Sequence, residues 1–334
     1  YLDEEQRAYV ERLISVVNGS DKVTCYTEAE LSQVDGYAGN YHAVVDTPSS
    51  PVSVDAGAFN ITTGAQESVP RGFLYGEDPD VMTQAELAGR IDDGASAEHV
   101  AMIQCVGSRT PEVPYCSRLC CNQALKQAIT LREQGAEVTI FYRDIASYGK
   151  TDMYRLAKEA GVGFIRFPGD DGKTGYPEVR RNGAGLEVVS GGESLGVDWV
   201  VLSTGIVPDA KNNEALSELL NYPLDYEGFF SSDISNYPYE EAIKKVTKPF
   251  ELGSNGIFPV GLAHSPRSFE ETILTAKDAV GRALVVIGKD KMPPPNKMFV
   301  AAVHESLCMG CGVCVDACPY GARVIDEIER VVKI

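Results

Sequence analysis

Residues 99–144 constrain the fold most strongly, because they alternate between strand and helix patterns. The apolar run HVAMIQCVG (99–107) predicts a buried strand, CNQALKQAITLREQG (121–135) predicts a helix that stops at a glycine, and AEVTIFYRD (136–144) predicts a second strand. A strand–helix–strand unit of this length has parallel strands and a right-handed crossover. The chain is therefore predicted to contain an α/β domain built on a parallel sheet.

The loop between the first strand and the helix carries four cysteines where a dinucleotide fold carries glycines. In such folds a G-x-G-x-x-G turn binds a pyrophosphate at the helix N-terminus, but here only Gly107 remains. A standard nicotinamide-binding loop is therefore not expected. The spacing C-x10-C-x3-C-C leaves three alternatives: buried cysteines with one disulfide, structural zinc, or an iron–sulfur cluster. The cysteines are Cys105, Cys116, Cys120 and Cys121.

Composition limits the classes of function that need consideration. The 334 residues have a formal net charge of −18 at pH 7, which argues against nucleic acid or an anionic membrane surface as a direct partner. No apolar run reaches the ~18 residues that span a bilayer, and no signal peptide is visible. We therefore expect a cytoplasmic protein without membrane insertion. The nine cysteines are concentrated at 105–121 and 308–318, which favours metal or catalytic thiols over a disulfide framework.

The segment CMGCGVCVDACP (308–319) has the cysteine spacing of bacterial ferredoxins, C-x2-C-x2-C-x3-C-P. Gly310 and Gly312 permit the tight loop that wraps one cubane cluster. The predicted [4Fe–4S] ligands are Cys308, Cys311, Cys314 and Cys318. In two-cluster ferredoxins the fourth cysteine binds the other cluster, so Cys318 either completes the same cluster or serves a second one. Since the sequence begins with Tyr1 and ends soon after this run, we expect it to be part of a longer chain.

Residues 22–45 are predicted as two strands joined around a glycine turn, with Cys25 buried in the first. The glycine-rich polar stretch 169–193 carries no predicted strand or helix. Arg143 and Asp144 follow a buried strand and are interpreted as ordinary strand-end residues. Apolar residues at helical spacing predict further helices at 4–17, 151–160 and 268–288.

The segments CVGSR, YCSRLCCNQALKQA and FYRD resemble the flavoprotein A subunit of heterodisulfide reductases and its relatives in quinone-interacting oxidoreductase complexes. The resemblance extends over most of residues 22–334. It implies that the 105–121 cysteines bind a [4Fe–4S] cluster, with Cys105, Cys116, Cys120 and Cys121 as ligands. It also implies that Lys126 lies near a flavin, where an ammonium group tunes the ring nitrogens. From the residues alone, Lys126 could equally be a solvated helix lysine.

Three segments resemble the flavin-binding segments of pyridine nucleotide–disulfide oxidoreductases. Two are the T-G turns ITTGAQ (61–66) and LSTGIVPDA (202–210), and the third is NGIFPVGLA with the helix that follows it. Two departures stand beside this resemblance. Leu262 and Ala263 occupy positions where many of these enzymes have an aspartate, and no G-x-G-x-x-G fingerprint precedes residue 22. The implied FAD-binding residues are Thr63, Gly64, Thr204, Gly205 and Gly261.

The predicted fold class is α/β, with a partial FAD-binding domain interrupted by a thioredoxin-reductase-like (Rossmann-like) domain and followed by a ferredoxin-like module. We place these domains at 1–95 with 206–290, at 96–205, and at 291–334. The resemblance implies electron transfer between FAD and two [4Fe–4S] clusters in a heterodisulfide reductase-type complex, with or without electron bifurcation. The implied partners are other redox subunits of such a complex and ferredoxin-type electron carriers.

Two alternative functions stay open at this stage. The chain could be a flavin-free, ferredoxin-tailed docking or electron-relay subunit, or it could belong to a quinone-interacting oxidoreductase complex. A stand-alone NAD(P)H-dependent disulfide reductase is not supported, because no C-x4-C or C-x2-C redox pair lies beside a nucleotide loop.

Overall fold

The computed structural model describes residues 4–149, 151–169, 175–183, 185–231, 256–288, 303, 307–317, 323–326 and 331–333. The chain divides into two compact units, Tyr1–Gly288 and Lys289–Ile334. The first unit carries the cysteine-rich loop, and the second carries the ferredoxin-like run. None of the described helices is both long enough and apolar enough to cross a membrane.

The first unit begins with a helix and a small antiparallel sheet. Helix α1 (Glu4–Asn18) precedes strands β1 (Glu30–Tyr37), β2 (Asn40–Asp46) and β3 (Val52–Ala56), which pair in that order. The predicted position of Cys25 is wrong, because this residue is exposed and precedes β1. The alternation at 22–26 has no partner strand among the described residues. The short strands β4 (Phe59–Ile61) and β5 (Gln66–Glu67) follow.

A five-stranded parallel sheet forms the centre of the first unit. Its strands lie side by side in the order β6, β13, β7, β8, β9. The two strands predicted at 99–107 and 136–144 are β7 and β8, and they are adjacent and parallel as expected. Nearly every residue of the central strands is buried, because layers cover both faces of the sheet. The bounds are β6 (Val81–Thr83), β7 (His99–Val106), β8 (Glu137–Tyr142), β9 (Gly163–Arg166) and β13 (Trp199–Thr204).

Three helices cover one face of the parallel sheet. Their apolar side chains pack on Met102, Ile140 and Val201 of the sheet. Alanine and leucine at helical spacing, such as Ala124, Leu125, Ala128 and Leu131, give the second helix its buried side. The helices are α2 (Gln84–Asp92), α3 (Cys120–Glu133) and α4 (Met153–Glu159).

A three-stranded antiparallel sheet covers the other face. It is formed by β10 (Glu178–Asn182), β11 (Gly185–Ser190) and β12 (Glu193–Val197). Apolar residues of these strands pack with Ile103, Phe141 and Leu202 of the parallel sheet. The prediction that 169–193 lacks strands is therefore wrong. Its glycines mark turns, such as Gly191 and Gly192 with φ values of 62° and 88°, between strands whose alternate residues are buried.

The remaining elements of the first unit pair residues from before and after the central sheet. β14 (Ile206–Val207) is antiparallel to β5, and β15 (Ile257–Pro259) is parallel to β4. Helix α5 (Ala210–Leu220) lies between them in the chain. Helix α6 (Phe269–Ile287) begins with a capping box in which Ser268 and Glu271 each accept a backbone N–H bond. The predicted α/β class is confirmed, and the predicted domain boundaries stay a prediction.

Within the second unit, the described elements are short. Helix α7 (Val313–Asp316) follows Gly312, whose φ is 78°. Strands β16 (Val324–Ile325) and β17 (Val332–Lys333) form an antiparallel pair.

We predict that Ile140→Ala destabilises the first unit by about 2–5 kcal/mol, because it leaves a cavity at a fully buried position of β8. Trp199, the single tryptophan of the chain, lies in the same core cluster. Its fluorescence during urea denaturation therefore reports this core. The control, Ile14→Ala, removes the same atoms from a side chain of α1 that is 54% exposed. Equal denaturation midpoints for the two variants would contradict the assigned core.

Candidate functional site

The four cysteines of the loop are delivered by the end of β7 and the start of α3. Cys105 is the penultimate residue of β7 and has a φ of 62°, a left-handed conformation that is uncommon outside glycine. Its carbonyl oxygen accepts a hydrogen bond of 2.7 Å from the Tyr176 hydroxyl. Cys120 and Cys121 are the first two residues of α3, so the helix starts one residue earlier than predicted. Cys105, Cys120 and Cys121 are buried, and Cys116 is half-buried.

The thiols lie close enough to shift one another's pKa. Burial, together with the neighbouring Cys121 and Cys116 and against the opposing charge of Arg109, raises the pKa of Cys105 to about 11. A hydrogen bond between Cys120 and Cys121 raises the pKa of Cys120 and lowers that of Cys121 to about 7. Each of the four interacts electrostatically with at least two of the others. The structure therefore brings the predicted ligand set together.

The donor set has the chemistry of an iron–sulfur site. Thiolates are the usual ligands of [4Fe–4S] clusters, and no side chain caps α3 at Leu119 in the described structure. The N–H groups of its first turn are therefore available to an anionic group. Among the described residues, no three His, Cys, Asp or Glu side chains are arranged to hold a single metal ion. A cubane cluster requires a different arrangement of ligands, because each thiolate binds a separate iron atom and the four sulfurs need not converge on one point.

A buried amide fixes the first turn of α3. The Gln84 Nε2 group donates to the Cys120 carbonyl oxygen at 2.9 Å and to Ser203 Oγ at 2.8 Å. Gln127 Nε2 donates to the Gln84 carbonyl oxygen at 2.8 Å. Gln84 opens α2, so this contact joins two helices and β13 directly beneath the cysteines. Sequence reasoning missed Gln84, because a glutamine at the start of a helix carries no motif.

The predicted flavin residues occupy turns that need little or no side chain. A Cβ on Gly205 would lie 3.2 Å from the Gly107 carbonyl oxygen, so its turn is packed against the cysteine loop. A Cβ on Gly261 would lie 2.9 Å from Thr272 of α6. Gly64 has a φ of 76°, and the Thr63 hydroxyl donates to Asn213. Thr204 is buried, and its hydroxyl has no hydrogen-bond partner within the described residues. Of these three glycines, Gly64 alone would carry a Cβ that meets nothing within 4 Å among the described residues, so the backbone is open to close approach of a group there.

The cysteine loop is bonded to two of the three flavin-like segments. Ile206, next to the second T-G turn, donates its N–H to Ser117 Oγ at 2.7 Å and accepts from the Tyr115 hydroxyl at 2.9 Å. Arg118 forms a 2.7 Å ion pair with Glu271 in the first turn of α6. The Arg118 backbone N–H also lies 3.4 Å from Cys116 Sγ. One loop thus joins the thiols to the segments predicted to hold the flavin.

Lys126 lies on α3 five residues after Cys121 and is half-buried. Its place beside a flavin stays a prediction. In the second unit, the backbone N–H of Val332 lies 3.4 Å from Cys308 Sγ, and Gly310 and Gly312 both have positive φ. Cys311 is exposed and Cys314 is half-buried. Cys318 lies outside the described residues.

Sequence comparison identifies the family. Residues 301–324 match the model of the 4Fe-4S binding domain. The chain is 30% identical over 315 residues to the A subunit of the H(2):CoB-CoM heterodisulfide,ferredoxin reductase of Methanothermobacter thermautotrophicus. The aligned region covers 84% of this chain and 44% of the relative. The chain belongs to the family of heterodisulfide reductase A subunits. It is also 33% identical over 284 residues to the iron-sulfur A subunit of the CoB--CoM heterodisulfide reductase of Methanocaldococcus jannaschii. That alignment covers 77% of this chain and 40% of the relative.

The chain spans less than half the length of these relatives. Among solved structures it resembles the thioredoxin reductase of T. acidophilum, with a TM-score of 0.50 and 15% identity over 84% of this chain and 80% of that one. This likeness confirms the thioredoxin-reductase-like fold. The predicted family resemblance is confirmed as well.

We predict that Cys120→Ser abolishes the cluster of the 105–121 loop and leaves the ferredoxin-like cluster intact, because a thiolate ligand is lost at only one site. The measurement is the paramagnetic resonance spectrum of the reduced complete protein, together with its iron content. Cys25→Ser, at an exposed cysteine outside both runs, is the control and keeps both signals. If both signals persist in Cys120→Ser, the ligand assignment is wrong.

Proposed function

We propose that this chain transfers electrons between FAD and two [4Fe–4S] clusters as the A-type component of a heterodisulfide reductase-type complex. It thus works as one oxidoreductase component whose partners are other redox subunits and ferredoxin-type carriers. A flavin exchanges electrons in pairs or singly, whereas a cluster carries them singly. The ligands of the inner cluster are Cys105, Cys116, Cys120 and Cys121, and those of the second are Cys308, Cys311, Cys314 and Cys318.

The observation that carries this proposal is the set of hydrogen bonds between the cysteine loop and the flavin-like segments. Ser117 and Tyr115 fix Ile206 beside Thr204 and Gly205, and Arg118 fixes the start of α6. Electron tunnelling slows steeply with distance, so two redox groups need to be close and held rigidly. These bonds supply both conditions for groups bound at the two sets of residues.

The roles of the chain's own residues follow from this arrangement. Gly64 leaves open space beside the backbone where FAD is proposed to be held, and Thr63 and Thr204 offer hydroxyl groups there, whereas Gly205 and Gly261 let their turns pack against Gly107 and Thr272. The first turn of α6 presents backbone N–H groups, and a helix N-terminus favours negative charge on the group it faces. The buried thiols exclude water from the inner cluster site.

We predict about eight iron atoms and about eight acid-labile sulfides per chain of these 334 residues prepared without oxygen, since each of the two proposed cubanes contains about four of each. Elemental and sulfide analysis measures this, and an absorption spectrum shows the flavin bands. A content of about four iron atoms, with an intact ferredoxin-like run, would contradict the prediction of a cluster at the 105–121 loop. If elemental analysis also found one zinc per chain, a structural zinc at the 105–121 cysteines would be favoured instead. Clusters without flavin bands would favour the electron-relay alternative.

Lys126→Ala is expected to lower the midpoint potential of the bound flavin while both clusters assemble, because the ammonium group offsets the negative charge gained on reduction. The measurement is a spectroelectrochemical titration of the complete flavin-loaded protein. Lys158→Ala is the matched control, since Lys158 is an exposed lysine that stacks on Tyr154 of α4. Identical flavin midpoints in the Lys126 variant and the wild type would assign Lys126 to the solvated helix surface.

A further inference from the structure

Arg143 is a buried cation that pairs with no carboxylate of the described residues. It follows β8 and is only 4% exposed. Within the described residues, its Nη1 donates to the Arg109 carbonyl oxygen at 3.1 Å, its Nε has no hydrogen-bond partner, and no carboxylate forms an ion pair with it. The adjacent Asp144 pairs instead with Arg109 at 3.0 Å and with Arg166 at 3.7 Å. A charge removed from water is strongly destabilising unless another charge compensates it.

The environment of Arg143 identifies where the compensating charge belongs. Arg143 lies close enough to Cys105 for its positive charge to act on that side chain. Arg143 is also hydrogen-bonded to Tyr176, whose hydroxyl donates to the Cys105 carbonyl oxygen at 2.7 Å. The arginine is thus linked to the first cysteine of the set by charge and through one tyrosine. Four thiolates that hold a cluster are the anion that this arginine lacks.

We propose that Arg143 is the buried counter-charge of the inner cluster and raises its reduction potential. This inference rests on the proposed function, because it requires a cluster at Cys105, Cys116, Cys120 and Cys121. Reduction adds one electron from an external reductant to the cluster, and no bond in the protein breaks. Arginine stays protonated throughout, so its fixed charge stabilises the reduced cluster more than the oxidised one.

Arg109 also places positive charge at the site, since its side chain is hydrogen-bonded to Cys105 and its electrostatic effect on Cys105 exceeds that of Arg143. Arg109 is 31% exposed and Arg166 is 64% exposed, and both contact Asp144. Water and a paired carboxylate screen their fields. Arg143 is buried, and no carboxylate of the described part of the chain pairs with it, so its charge acts through a medium of lower polarity. Arg166 donates to the Arg143 carbonyl oxygen at 2.9 Å, which makes it a matched neighbour for comparison.

The test is a paramagnetic-resonance redox titration of the complete, anaerobically prepared protein with dithionite as reductant. Arg143→Gln is expected to lower the reduced-to-oxidised ratio of the inner cluster about tenfold at the wild-type midpoint, a shift of about 60 mV for one electron. Arg143→Lys keeps the charge and is expected to stay within about a third of that shift. Arg166→Gln is expected to leave the midpoint unchanged.

An inner cluster that assembles in Arg143→Gln with the wild-type midpoint would overturn the inference. If Arg143→Gln loses the inner cluster, the midpoint potential of Arg143→Lys tests the inference instead. A cluster of wild-type midpoint in Arg143→Lys supports the counter-charge role, whereas loss of the cluster in both variants shows a purely structural role and overturns it. A wild-type protein with only the ferredoxin-like cluster refutes the proposed function itself, and iron analysis recognises that outcome before any variant is made.

Discussion

The removal of thiols from water at the end of β7 is the constraint on which the site depends. Burial raises the pKa of Cys105 to about 11, so this side chain does not become a thiolate by itself near neutral pH. Metal binding would reverse this balance, because the metal replaces the proton on a ligating sulfur and that proton is released to solvent. Arg109 and Arg143 act in the same direction by favouring the thiolate. The site is therefore built for a group that both deprotonates sulfur and carries negative charge overall.

The parallel sheet explains why these residues meet. The strands β13, β7 and β8 are adjacent and parallel, so their carboxyl ends lie at one edge. That edge receives Thr204 with Gly205 from β13, Cys105 from β7 and Arg143 from β8. Ligands of open α/β sheets bind outside the carboxyl ends of the strands. The same edge that serves nucleotides in such folds here combines a cysteine set, a flavin-like turn and a buried cation.

Sequence patterns predicted the parts of the fold that depend on strong periodicity. The βαβ unit and helix α6 were predictable because their apolar residues repeat over many positions. The sheet β10–β12 was missed, since glycines dominate the composition of 169–193 while only alternate residues such as Val179, Leu186 and Val188 are buried. The spacing singled out the cysteine set but left three alternatives for its role, and the cluster was implied by the family resemblance, whereas nothing in the sequence indicated the burial of Arg143. A charged residue after a buried strand gives no signal of its own until the neighbouring layers are known.

The net charge of −18 would by itself oppose the reduction of a cluster at the 105–121 loop, because reduction adds negative charge. The charge is the excess of 48 Asp and Glu over 30 Lys and Arg, and the field of an exposed carboxylate is screened over ~8 Å at physiological ionic strength. Arg143 is buried beside Cys105 and acts at short range through a medium that screens far less. The local field at the inner site is therefore set by a few nearby groups and not by the total. A strongly acidic chain and a local positive charge beside Cys105 are therefore compatible.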